Sequence, residues 1–182
     1  MPSHSIHFGN SAPKDRRIFK QQLRYPTPSW LQFSIVDGQV PEASDAIISI
    51  HPGYANAILD GTKTIELRRR IPELANGTRL WIYATRPTAA VVGVATISDV
   101  NRAHPRTIWQ KHRDGAGVDH ASFMEYFHGA PQAVAILLAA VKRVGPITIE
   151  ELREIRDRFH PPQVLLRLTN AEAKALQRLA KK

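Results

Sequence analysis

The chain changes its hydrophobic period at Asp60-Gly61. Before that pair, Tyr54, Ala57 and Ile58 recur at helical spacing; after it, apolar and polar residues alternate as a strand requires. Gly61 is the expected left-handed cap that ends the helix. The run Gly61-Thr62-Lys63-Thr64-Ile65-Glu66-Leu67-Arg68-Arg69-Arg70 therefore sets a lysine, a carboxylate and several arginines on one strand. On a regular strand Thr64, Glu66 and Arg68 share one face, while Ile65 and Leu67 pack into the core from the other. Lys63 then falls on the Ile65 side. It reaches Glu66 only if regular pairing begins after Lys63, or if a bulge turns it. Two readings follow: an exposed ladder of ion pairs, worth about 0–1 kcal/mol, or the charged floor of a cleft.

The surrounding pattern predicts an α+β domain. Ile47 to Ile50 reads as a short apolar strand, and His51-Pro52-Gly53 turns into the helix with Pro52 in its first turn. Residues 63 to 69 form the next strand. Asn76-Gly77 is a turn signal, followed by strands over Leu80 to Ala84 and Ala90 to Val100, antiparallel across Pro87. Pro105 to His112 predicts a helix, and Asp119 caps another that ends at Gly129. Gln132 to Val144 is a long strand. Thr148 and Glu151 match a capping box for a helix running to about Arg158, and Pro161-Pro162 stops it. A last strand covers Gln163 to Thr169, and Asn170 caps a C-terminal helix with the stripe Ala173, Leu176, Leu179 and Ala180. Short strands with helices inserted between them, in no regular βαβ alternation, favour a small, partly open β-barrel with helices at its rim. The expected division is an N-terminal arm over 1–45, a domain over 46–170, and a C-terminal helix over 171–182 packed on it.

The 182 residues suit one domain with extensions, able to bury a core without staples. There are no cysteines, which excludes disulfides and thiolate metal sites and suits a reducing cytoplasm. No apolar run approaches the roughly 20 residues of a membrane-spanning helix. The N-terminus lacks the apolar segment of a secretory signal. The formal charge of +9 favours polyanionic partners, namely nucleic acid, nucleotides or an anionic membrane; a nucleic-acid or nucleotide partner is expected, and no membrane. The arm carries Lys14, Arg16, Arg17, Lys20 and Arg24, with Pro26 and Pro28 breaking any helix there; it is a candidate contact for nucleic acid or protein.

Chemistry at the charged run has three candidate carriers. Lys63 beside an arginine has a reason to lose its proton and act as a general base, while a neighbouring carboxylate pushes the other way. Arg68 is a bidentate donor to a phosphate or a base carbonyl. Glu66 orients Lys63 or accepts from an exocyclic amine. His51 at the strand end, Tyr54, Thr64, Tyr83 and Arg86 complete the candidate ligand set. His51 is either a ligand contact or a capped turn residue, Tyr83 either stacks a base or joins the core, and Arg86 either contacts phosphate or is a solvated turn arginine, whereas Trp81 reads as core. The eight histidines are scattered. His112, His120 and His128 recur every eight residues, but Gly115 and Gly117 interrupt that helix, and no HExxH or matching carboxylate appears. No metal or other cofactor is expected. P-loop, dinucleotide and GxSxG signatures are also missing.

Residues from Ile48 to about Val100 resemble an ASCH domain of the PUA-like superfamily. The resemblance rests on Ser49-Ile50-His51-Pro52, on Gly61 to Arg68 with its G-x-K-x-x-E-x-R pattern, on Gly77 with Leu80-Trp81-Ile82-Tyr83-Ala84-Thr85, and on Val91-Val92-Gly93-Val94-Ala95. It extends loosely to Pro161-Pro162-Gln163. It implies a β-barrel with a cleft across one face, and binding of RNA, a nucleotide or a modified nucleoside there. Some bacterial members that resemble the chain at Lys63 and Thr64 hydrolyse N4-acetylcytidine-type amides. Their lysine carries over to Lys63, but their catalytic threonine falls on Glu66, and Glu125 is the candidate for their distant glutamate. Other members resemble ribonucleases. The resemblance thus implies a binding module, with an acylated-nucleoside hydrolase or a ribonuclease using Lys63 and Glu66 as the alternative. A third reading makes the N-terminal arm a regulatory contact.

Overall fold

The computed structural model describes residues 44–181. Among them are six strands and five helices: β1 (Asp45–Ile50), α1 (Pro52–Leu59), β2 (Ile65–Arg68), β3 (Arg79–Ala84), β4 (Ala90–Ala103), α2 (Pro105–His112), α3 (His120–Tyr126), β5 (Ala133–Thr148), α4 (Ile149–Ile155), β6 (Leu166–Arg167) and α5 (Asn170–Leu179). The local signals explain most boundaries. His51 caps α1 with Pro52 in its first turn, and Gly61 follows at φ 78°. Asp119 caps α3 through the Ser122 amide, and Thr148 with Glu151 closes a capping box on α4. Several expectations shift: β4 runs on to Ala103 and β5 to Thr148, and α4 stops at Ile155. Thr169, not Asn170, caps α5, because its side chain and Glu172 form a second capping box. The strand expected over 63–69 starts at Ile65, and the last strand is only Leu166–Arg167. The arm expected over 1–45, with its proposed contacts, lies outside the described residues except for Ser44 and Asp45.

The strands form one sheet in the order β2-β5-β4-β3-β1-β6, with β1 parallel to β3 and the other pairs antiparallel. The expected barrel is thus an unclosed sheet: among the described residues no backbone ladder joins β2 to β1. It curls nonetheless. The β4–β5 ladder shifts register at three places, and such bulges bend and twist long strands. The curl brings β2 back to the end of β1 although three strands lie between them in the sheet order. There the Arg68 guanidinium donates to the Ser49 carbonyl at 2.6 Å.

Strand alternation distributes the core. Ala46, Ile48 and Ile50 of β1 and Leu80, Ile82 and Ala84 of β3 line the concave face, where Ala55 and Ile58 of α1 pack against them. The intervening Ile47, Trp81 and Tyr83 face the other side, under Leu152 of α4 and Leu176 of α5. A third cluster joins Ile65 and Leu67 to Ile108 of α2 and to Phe123 and Phe127 of α3, so the α2–α3 pair covers β2. Trp81 is core as expected, and its indole N–H donates to the Asp45 carboxylate at 2.8 Å. No helix of the described residues is long and apolar enough to cross a membrane.

α4 and α5 are clamped by Arg156, whose guanidinium donates to both oxygens of Glu172 at 2.5 and 2.7 Å. Those bonds, joined by bonds from Thr169, hold the Glu172 carboxyl down to about 2 from an ordinary 4.5. A carboxylate with a depressed folded pKa stabilises the fold above its unfolded pKa and stops doing so as pH falls through the folded one. Glu172→Gln should therefore lower the melting temperature at pH 6–7. Thermal melts at falling pH should show the difference from wild type shrinking below pH 4.5 and vanishing near pH 2.

Candidate functional site

The end of β1, the start of α1, β2 and α3 enclose a cavity of about 230 Å³. Lys63, Glu66 and Arg68 form its floor, His51 and Tyr54 one wall, and Phe123 and Tyr126 the other. Lys63 escapes the parity of the strand because it still belongs to the helix end. Its amide donates to the Ala57 carbonyl at 3.0 Å, and ladder pairing with β5 starts at Ile65, opposite Leu137. Glu66 and Arg68 then follow the alternation and face the concave side, opposite Ile136 and Val134.

The three charges are coupled. Glu66 Oε1 lies 3.0 Å from Arg68 Nη2, and Glu66 Oε2 lies 4.0 Å from Lys63 Nζ. Lys63 Nζ donates to the Ala116 carbonyl at 2.5 Å, and its side chain is only 3% exposed. Burial pushes the Lys63 ammonium below its ordinary pKa; Glu66 opposes that shift and Arg68 adds to it. Burial pushes the Glu66 carboxyl up, against Arg68 and then Lys63. Two cations and one carboxylate leave one uncompensated positive charge in a buried site. The floor becomes neutral if Lys63 loses its proton or if an anionic group enters. Arg68 Nε is buried without a partner, a further donor without an acceptor.

The walls are aromatic. Tyr54 and Tyr126, 43% and 45% exposed, are the large hydrophobic side chains that stand out to solvent among the described residues, and both line this cavity. Lys63 Nζ lies 5.3 Å from the Tyr54 ring centroid, and the Arg69 guanidinium lies 5.5 Å from that of Tyr126. Arg69 Nε also donates to the Tyr126 carbonyl at 2.7 Å. His51 caps α1 by accepting the Gly53 amide on Nδ1 at 3.3 Å, which leaves Nε2 to carry the proton of the neutral ring.

The structure brings together Lys63, Glu66, Arg68, His51 and Tyr54. The other candidates lie elsewhere. Thr64 is exposed and lines a separate depression with Ser98 and Lys111, because the chain leaves α1 with Thr64 turned away from the cavity. Tyr83 is buried on the convex side of the sheet, 6.2 Å from the Phe159 ring. Arg86 is exposed in the β3–β4 turn, and Glu125 is exposed on α3 away from the cavity lining. Phe123, Tyr126, Arg69 and the carbonyls of Ser49 and Ala116 are site features that sequence reasoning missed. For Tyr126 a signal exists: Phe123 and Phe127, four apart, take the core side of α3, which leaves Tyr126 beside them as an aromatic with no core to enter.

Residues 48–156 match the ASCH domain family. An ASCH domain-containing ribonuclease of Zymomonas mobilis subsp. mobilis is 39% identical over 137 residues, covering 75% of this chain and 93% of that protein. The crystal structure of ASCH from Zymomonas mobilis superposes with a TM-score of 0.73 at 39% identity, over 75% of this chain and 95% of that one. A point variant of the same protein gives 0.73 at 38% identity, over 77% and 99%. The chain belongs to the ASCH domain family.

The charge count makes a prediction about stability. Removing one member of a buried pair costs about 3–5 kcal/mol when it strands a charge. Glu66→Gln strands two cations and should cost that much in chemical denaturation. Lys63→Met removes the surplus charge but orphans the Ala116 carbonyl, so stability should change by no more than about 1–2 kcal/mol. A lysine whose folded pKa is depressed makes wild-type stability rise with pH up to the unfolded value of 10.5; Lys63→Met should remove that rise.

Proposed function

We propose that this protein recognises RNA by taking one unpaired nucleotide into the Lys63–Glu66–Arg68 cavity. One observation carries the reading: a buried floor with a surplus positive charge opens between two exposed tyrosines. Single-stranded RNA is bound by this combination, with bases stacked on aromatic faces and acceptor oxygens met by cations. The cavity is smaller than the roughly 300–1,000 Å³ of sites for drug-sized ligands, which favours a single base or nucleoside. In this reading Tyr54 and Tyr126 stack the base, Lys63 and the Arg68 guanidinium meet an oxygen of the ligand, and Glu66 accepts from a base N–H. The ribonuclease name of the 39% identical relative and the net charge of +9 support RNA over other polyanions.

A second reading is RNA cleavage, motivated by the buried lysine and by that relative's name. The neutral Lys63 amine would take the proton of a ribose 2′-hydroxyl, and the 2′-oxygen would attack the adjacent phosphorus. The bond to the 5′-oxygen would break, with that oxygen protonated by water, leaving a 2′,3′-cyclic phosphate and a 5′-hydroxyl. Arg68 would balance charge on the phosphoryl oxygens. Amide hydrolysis of an acylated nucleoside has less support, since Glu66 occupies the position of the catalytic threonine.

Fluorescence anisotropy with short single-stranded RNA tests the binding reading. Affinity should fall linearly on a log–log salt plot. Tyr126→Ala should cost about 1–3 kcal/mol, and Tyr126→Phe should retain the stack. Affinity indifferent to salt and to Tyr54→Ala/Tyr126→Ala together would overturn it. Incubation of labelled RNA with wild type and Lys63→Ala tests cleavage: only wild type should yield cyclic-phosphate ends, and equal product from both removes Lys63 from the chemistry.

A further inference from the structure

The loop between α2 and α3 touches the floor of the cavity in an unusual way. A 3₁₀ turn over Arg113–Gly115 brings Gly115, Ala116 and Gly117 against the backbone and stem of the helix-to-strand junction. The Thr64 amide donates to the Gly115 carbonyl at 3.0 Å, and one residue on, the Ala116 carbonyl accepts from Lys63 Nζ at 2.5 Å. Both flanking glycines are required by space. A Cβ on Gly115 would lie 2.2 Å from Thr64 Oγ1. A Cβ on Gly117 would meet Cβ, Cγ and Cδ of Lys63 at 2.9, 3.0 and 3.2 Å, and Gly117 has φ +63° as well. Gly117 therefore lies against the inner part of the lysine stem, and the Ala116 carbonyl meets its ammonium.

We infer that Gly115-Ala116-Gly117 is a positioning element for Lys63, holding its nitrogen over Glu66 by a backbone carbonyl that no side chain supplies. The inference rests on the reading of this cavity as the functional site. A lysine has four rotatable bonds and takes many rotamers when free. Lys63 faces Glu66 and Arg68 on β2 and the Tyr54 ring on α1, and His51 shares the cavity; of these Glu66 attracts it from 4.0 Å and the Tyr54 ring from 5.3 Å, both farther than the loop carbonyl. The closest polar contact of the ammonium is with the loop. Gly117 thus acts directly on the Lys63 stem, and Gly115 seats the loop on Thr64, neither of them lining the cavity. They also couple the α2–α3 insertion, which carries Tyr126, to the charge on β2.

The test is the pH profile of Lys63 acetylation by acetic anhydride, read by mass spectrometry on the Lys63 peptide, alongside RNA anisotropy. In Gly117→Ala the displaced side chain should gain solvent, so the acetylation midpoint should move up toward that of a free lysine. RNA affinity should fall roughly tenfold, the scale of one hydrogen bond to a charged group. Gly129→Ala is the matched control: Gly129 also has positive φ, at 71°, but nothing lies within 4 Å of its Cβ position, so both readouts should stay at wild type. Gly115→Ala provides an independent variant, and adding Thr64→Ala should restore the Lys63 profile by relieving the clash; this pair decides the matter if Gly117→Ala does not fold. A Lys63 profile in Gly117→Ala or Gly115→Ala that matches the Gly129→Ala control overturns the inference. A shifted profile with RNA affinity unaffected even by Lys63→Met upholds the positioning role and overturns the RNA reading instead.

Discussion

The structure turns on the Arg68 guanidinium. It lies 3.0 Å from the Glu66 carboxylate and donates to the Ser49 carbonyl at 2.6 Å, so one side chain ties β2 to the end of β1 across the open side of the sheet. Backbone pairing does not make that join. The curl therefore leaves a gap instead of a closed ladder, and the cavity occupies the gap. Where a closed barrel would have backbone hydrogen bonds, this fold has buried charged side chains lining a cavity.

Because those charges are buried, their number matters more than their individual contacts. A carboxylate between an arginine and a lysine accounts for one cation and leaves the other in surplus. Burial acts on the lysine, the only cation of the two that sheds its proton readily, and biases it toward the neutral amine. The same surplus makes the cavity an acceptor-seeking site. The two effects share one cause, the burial of Lys63: it leaves the surplus charge without solvent and also drives the lysine toward the neutral amine, which is why binding and cleavage are adjacent hypotheses for this protein.

Much of the local structure was legible along the chain. His51-Pro52, Asp60-Gly61, Asp119 and the Thr148–Glu151 box act within one turn of helix, so their physics is contained in the sequence. At the head of α5 both Thr169 and Asn170 are capping residues by type, and the reciprocal contact with Glu172 selects Thr169. Tyr83 and Thr64 illustrate the limit. Alternation shows that Tyr83 and Trp81 share a face, but which face of the sheet holds the cavity depends on the direction of curl. Thr64 shares parity with Glu66 in an ideal strand, yet the strand has not started at that position, because the Lys63 amide is still bonded to the helix.

The chain by itself determined the charged triad, its spacing and the helix stop that precedes it, because these follow from residue type and from bonds between near neighbours. It also determined which residues seek the core. Tertiary structure decided that the triad is a floor and not a solvated ladder. That outcome required the bulged strands to curl, β1 to present its Ser49 carbonyl to Arg68, and a loop more than fifty residues downstream of Lys63 to bring a carbonyl to its ammonium. Each is a contact between segments distant in sequence, set by how sheet and helices pack, and the pattern of any one segment does not encode it.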